Sequence, residues 1–191
     1  MNHTGDRQVG NEVRTAARTW FDASASPDPD GNALWFRSRA AWRFAFARFV
    51  PLLAAGNLVW EIFQLPFYTL WEEGTPRSRA FAVAHCTIGD VMIGTAALLA
   101  SVMLFGRRGW PLSNHARVLA AATLAGLAYT VFSEWMNTQV SMGWQYSEAM
   151  LRVPPLGTGL TPLLQWIIIP PLVYWLARGG AHLQPRGGQA K

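Results

Sequence analysis

The stretch Phe81–Phe105, FAVAHCTIGDVMIGTAALLASVMLF, decides how the rest of the chain is read. Its twenty-five residues include only two ionisable side chains besides Cys86, namely His85 and Asp90. At about 1.5 Å per residue it is long enough to cross a hydrocarbon core of about 30 Å. An acid near the middle of such a segment is costly, so Asp90 marks a functional site by default.

The whole chain fits that reading. It is 51% hydrophobic and 14% charged, where an ordinary soluble domain carries roughly 25% charged residues. The apolar residues come in blocks, which predicts several membrane passes and an all-α bundle. Four spans are expected, at about Phe49–Thr69, Phe81–Phe105, Val118–Trp135 and Leu160–Ala177. The chain then divides into a cytoplasmic or interfacial segment 1–48, a four-helix transmembrane domain 49–177 and a cytoplasmic tail 178–191. The net charge of +5 does not indicate nucleic acid, because the arginines lie at the ends of apolar blocks. The single cysteine excludes an internal disulfide and any CxxC arrangement. Residues 1–31 lack an apolar core, so no cleaved signal peptide is expected.

In segment 1–48, Val9, Val13, Ala16 or Ala17 and Trp20 recur at helical spacing, predicting a short amphipathic helix on the membrane surface. Ser24–Asn32 is a linker by its Pro, Asp and Gly content. Trp35–Arg48 mixes aromatics with arginines, as an interfacial approach to the first span would. Pro51 is expected in a first helical turn and Pro66 at the end of that span. Pro170 and Pro171 are expected to kink the fourth span. The pairs Ala121/Ala125 and Ala122/Gly126 are suited to close packing in the third.

Orientation follows from charge. With four spans, thirteen of the sixteen basic residues fall on the side of the termini, leaving Arg77, Arg79 and Arg152 opposite. The positive-inside rule places both termini in the cytoplasm, with the bacterial inner membrane as the expected location.

The polar residues then share a depth. Glu61 lies roughly 18 Å into the first span at 1.5 Å per residue, and Asp90 reaches the same level from the other side. Asn57, Glu61, Gln64 and Tyr68 form one stripe. His85 lies nearer the outer surface. Tyr129, Ser133 and Glu134, followed by Asn137, occupy the outer half of the third span, and Thr161 and Gln165 that of the fourth. One polar cavity opening outward is expected, with the loop Asn137–Gly159 as a lid. Glu61, Asp90 and Glu134 are the candidate catalytic residues. Asn57, Trp60, Gln64, His85, Tyr129, Asn137, Gln165 and Trp166 are the candidate substrate-binding residues. Asn57, Gln64 and Gln165 also have a plainer reading as hydrogen-bond links between helices. A metal held by Glu61, His85, Asp90 and Glu134 lacks HxxxH or ExxH spacing, so no metal or cofactor is assigned.

The motifs NLVWE (57–61), AHCTIGD (84–90), YTVFSEWMN (129–137) and GLTPLLQW (159–166) resemble a group of small bacterial multipass proteins without an assigned reaction. NLVWE also resembles, locally, a Trp-Glu pair of integral membrane terpene cyclases. That likeness implies Glu61 as the acid that protonates an isoprenoid, with Trp60 and Trp166 shielding the cation. Three functions remain open: acid chemistry on, or binding of, an apolar lipid-like or isoprenoid-like substrate; a proton-coupled carrier or channel subunit; and a structural partner of another membrane protein. The lipid bilayer is the expected surrounding, and a homo-oligomer is compatible with spans this few.

Overall fold

The computed structural model describes Leu34–Gly179. The expected amphipathic helix, the linker and the tail beyond Gly179 lie outside the described residues. The chain is an all-α bundle of four helices: α1 (Arg39–Phe67), α2 (Pro76–Phe105), α3 (His115–Val140) and α4 (Leu160–Gly179). Each is long and apolar enough to cross a membrane, which is compatible with a multipass membrane protein. The helices form a ring: α1 packs against α2 and α4, and α3 against the same two.

The first helix corrects the expected start at Phe49. It begins at Arg39, capped by Ser38, whose Oγ accepts a hydrogen bond from the Ala41 amide. Trp35–Arg48 is therefore no loose approach to the bundle. Phe44, Ala45 and Phe49 are buried, while Arg43 and Arg48 keep to the exposed side. Pro51 thus lies inside the helix. Its ring would clash with the carbonyl of Ala47 in α geometry. The backbone answers with a π-helical segment, Arg43–Phe49, in which the Val50 amide bonds to Ala45 O, five residues back. Pro66 ends α1 as expected, in a 3-10 turn, Leu65–Phe67.

A one-turn helix, Leu70–Glu73, leads to α2. That helix starts five residues before the expected Phe81, because Thr75-Pro76 is a helix-start pair. Thr75 Oγ1 accepts from the Ser78 amide at 3.1 Å, and Pro76 takes the first helical position. The third span starts at His115, after Asn114 in the left-handed region (φ 55°), and continues to Val140 through a π-helical end, Met136–Val140. The strands β1 (Arg152–Val153) and β2 (Thr158–Gly159) form a small antiparallel hairpin. The fourth helix runs unbroken through Pro170 and Pro171.

The two halves of the bundle differ. At the end where α1 begins, Phe44 packs edge-on against Trp110 and Tyr174, with ring centroids 5.4 and 4.9 Å apart. Leu53, Leu98, Val102, Val118, Ile169 and Val173 continue this core. Small residues let the backbones approach. A Cβ on Gly94 would lie 2.6 Å from Leu53, and one on Gly126 only 2.0 Å from the Trp166 ring. Of the two expected small-residue pairs, Ala122/Gly126 is buried, whereas Ala125 of the other is exposed. Toward the opposite end α2 draws away: all five of its buried residues fall between Gly94 and Val102.

Candidate functional site

The space left by that divergence is a cavity of about 640 Å³ lined from all four helices. At its base Gln165 is almost wholly buried. Its Nε2 donates to Asp90 Oδ2 at 2.8 Å, Asn57 Oδ1 at 3.0 Å and Glu61 Oε1 at 3.1 Å. Gln64 Nε2 also donates to Glu61 Oε1, at 2.7 Å, and the Trp60 indole N–H closes the chain on Gln64 Oε1 at 3.1 Å. Gln165 Nε2 thus draws the Glu61 and Asp90 carboxyls, from two different helices, to one donor.

The local sequence explains the convergence. Asn57, Glu61 and Gln64 share one face of α1 at i, i+4 and i+7, and all three are buried there. Cys86 and Asp90, one turn apart on α2, both line the cavity. Thr130 and Glu134 do the same on α3.

Glu134 forms a second polar group nearer the end covered by the loop 141–159. Its Oε2 accepts a hydrogen bond from the Tyr146 hydroxyl, which in turn accepts from the Gly159 amide at 2.9 Å. The Trp144 indole N–H lies near Glu134 without the geometry of a formed hydrogen bond. Burial, followed by the hydrogen bond to Glu134 and its charge, pushes the Tyr146 phenol well above its ordinary range. Tyr68 is pushed up likewise, by burial and then by Glu134. The loop 141–159 is stitched to the end of α1: Thr69 N donates to Gln145 O at 3.0 Å, and Ser147 N to Phe67 O at 2.9 Å. Gly143 and Trp144 from this loop line the cavity, so it covers the site as a lid would.

Nine of the eleven candidate residues line the cavity: Glu61, Asp90, Glu134, Gln64, His85, Tyr129, Asn137, Gln165 and Trp166. Asn57 lies just beneath, reached through Gln165. Trp60 is the exception. One residue from Glu61 is about 100° around the helix, and its ring packs against the apolar core instead. His85 stacks on Phe81, centroids 5.6 Å apart. Among the described residues, His85 is the one basic side chain in the cavity lining. No three His, Cys, Asp or Glu side chains converge as metal ligands among the described residues. Tyr146 is the important residue that the sequence pattern did not single out. Its one signal is that it is the tyrosine of the long loop, and its pairing with Glu134 is set by how that loop folds back.

No protein-family model matches the chain, and no curated protein or solved structure matches it either. The site must therefore be read from its own chemistry.

Proposed function

We propose that the chain is a multipass protein of the bacterial inner membrane, with cytoplasmic termini, that acts on an apolar lipid-like or isoprenoid-like molecule by acid chemistry. The observation that carries this reading is the convergence of Glu61 and Asp90 on Gln165 Nε2, at 3.1 and 2.8 Å, at the base of a cavity with no arginine or lysine among its described lining residues. A carboxyl pair sharing one proton, away from basic partners, is a proton donor kept in reserve. Gln165 and Gln64 satisfy the outer lone pairs of the two acids and hold them in register.

The step this supports is transfer of the shared proton to an alkene carbon. The π-bond electrons form the new C–H bond, and the positive charge is left on the neighbouring carbon. Trp166, in the cavity wall, can stabilise that charge through its ring face. This is the role the terpene-cyclase likeness assigns to Trp60 and Trp166; of the two, Trp166 lines the cavity. The half beneath the cavity is packed mainly with apolar side chains, which disfavours a carrier.

The test is a lipid extract of the purified protein, analysed by mass spectrometry beside Glu61→Gln and Asp90→Asn. All three should retain one enriched apolar species relative to bulk lipid. Only the wild type should convert it, and the double variant should be little worse than either single one. An extract indistinguishable from bulk lipid, together with proton flux in liposomes, would replace this reading with the carrier. A stable complex with another membrane protein and no enriched lipid would point to an assembly role.

A further inference from the structure

The cavity also shows how a molecule gets in. Among its lining residues only Phe81, His85, Tyr129 and Gly143 are exposed. Gly143 belongs to the covering loop, and the other three stand on the flanks of α2 and α3. No residue of α2 before Gly94 is buried. Ala82, Cys86, Gly89 and Ile93 face the cavity at helical spacing, each half-buried. A Cβ built on Gly89 would meet nothing within 4 Å. The end of the bundle is meanwhile covered by Trp144 and by loop contacts to Phe67 and Thr69.

We propose that the first half of α2 and the second half of α3 frame a lateral portal, and that the ligand is a single-chain amphiphile entering sideways from the bilayer. The portal deepens the acid-chemistry reading of the same cavity, yet its geometry holds whatever the acids do. Its walls are mostly apolar, from Phe81, Ala82 and Ile93, as an acyl or prenyl chain requires. Ser133 and Asn137, higher on α3, offer hydrogen bonds at the level where a polar head would sit. A volume of about 640 Å³ suits one chain, since pockets of roughly 300–1,000 Å³ hold single small ligands.

Cys86, the sole cysteine, lies inside this opening and reports on it directly. The full-length protein would be reconstituted in liposomes and treated either with a bilayer-partitioning pyrene maleimide or with a charged, water-soluble thiosulfonate. Rates would be scaled to those with a free thiol in water. The pyrene reagent should label Cys86 faster than the charged one. Gly89→Trp should slow it by about tenfold or more, one decade in rate. Met92→Trp, which adds the same bulk on the exposed outer face, should leave it unchanged. Gly89→Leu serves as the second blocking variant if Gly89→Trp does not fold. Equal or faster labelling by the charged reagent, or blocking variants that do not slow the pyrene reagent, would overturn the portal. Neither readout depends on turnover. Loss of activity in Glu61→Gln with normal labelling, or labelling failure with normal activity, therefore separates the two proposals.

Discussion

Gln165→Leu is the most informative single change, because Gln165 touches three other helix-borne acceptors at once. A side-chain amide has two N–H hydrogens, yet Nε2 has Asp90, Asn57 and Glu61 within 2.8, 3.0 and 3.1 Å. At most two of these bonds are fully made at any moment. Leucine keeps the bulk and removes both donors, and Asn57 is buried. Leaving a buried acceptor unsatisfied costs about 1–3 kcal/mol. Hydrogen bonds between helices in a bilayer average nearer 0.6 kcal/mol, with a maximum of about 1.7. Two lost bonds on the membrane scale give a destabilisation of about 1–3 kcal/mol. Unfolding of the detergent-solubilised protein in graded denaturing surfactant, followed by circular dichroism, measures it. A Leu variant as stable as wild type within about 0.5 kcal/mol, the ordinary spread of neutral substitutions, would mean that the three contacts do not coexist. The convergence of α1, α2 and α4 on one amide would then be wrong.

Three further outcomes are expected. Gly126→Ala should cost about 1–3 kcal/mol by overpacking, since its methyl would lie 2.0 Å from a buried Trp166 ring; a Trp166→Leu background should remove most of that cost, and additive losses would contradict the contact. Tyr146→Phe should free the loop 143–159, seen as faster amide hydrogen exchange there with the helices unchanged. Because the Tyr146 phenol is held above its usual value in the folded protein, the bond to Glu134 stabilises fully below the ordinary tyrosine range of about 10 and is lost only as pH rises through the higher folded value; ultraviolet titration showing Tyr146 ionising like a free tyrosine would contradict this. For topology, Glu73→Cys and Glu148→Cys in a Cys86→Ser background should react with an impermeant thiol reagent in intact cells, whereas Leu112→Cys should stay silent; the reverse pattern would invert the orientation.

The spans were legible because long apolar runs leave few alternatives. The acids were legible because charge inside such a run has to be accommodated somewhere. Residue counting alone placed Glu61 and Asp90 at one depth and Gln165 in the outer half of the fourth span, and Gln165 bonds to both acids in the structure. Other parts were less legible. Arg39, Arg43 and Arg48 masked the continuity of residues 39–48 with the first helix, in which the arginines lie on one side and Phe44 and Phe49 are buried on the other. Trp60, named through the NLVWE likeness, does not line the cavity but reaches its hydrogen-bond chain through Gln64. Tyr146 depends on a loop closing back over twelve residues to Glu134, which local periodicity does not encode.

The π-helical segment Arg43–Phe49 acts as a phase corrector. A π turn carries one residue more than the α turn it replaces, so the helix on either side keeps the facing it would have without that residue. An uninterrupted α-helix of the same length would instead turn everything before the segment by about 100°. Ala41 and Phe44 would then leave the core, while Asn57, Glu61 and Gln64, beyond Pro51, would keep their places. The extra residue is thus what lets one helix present the aromatic base and the acids in their observed facings.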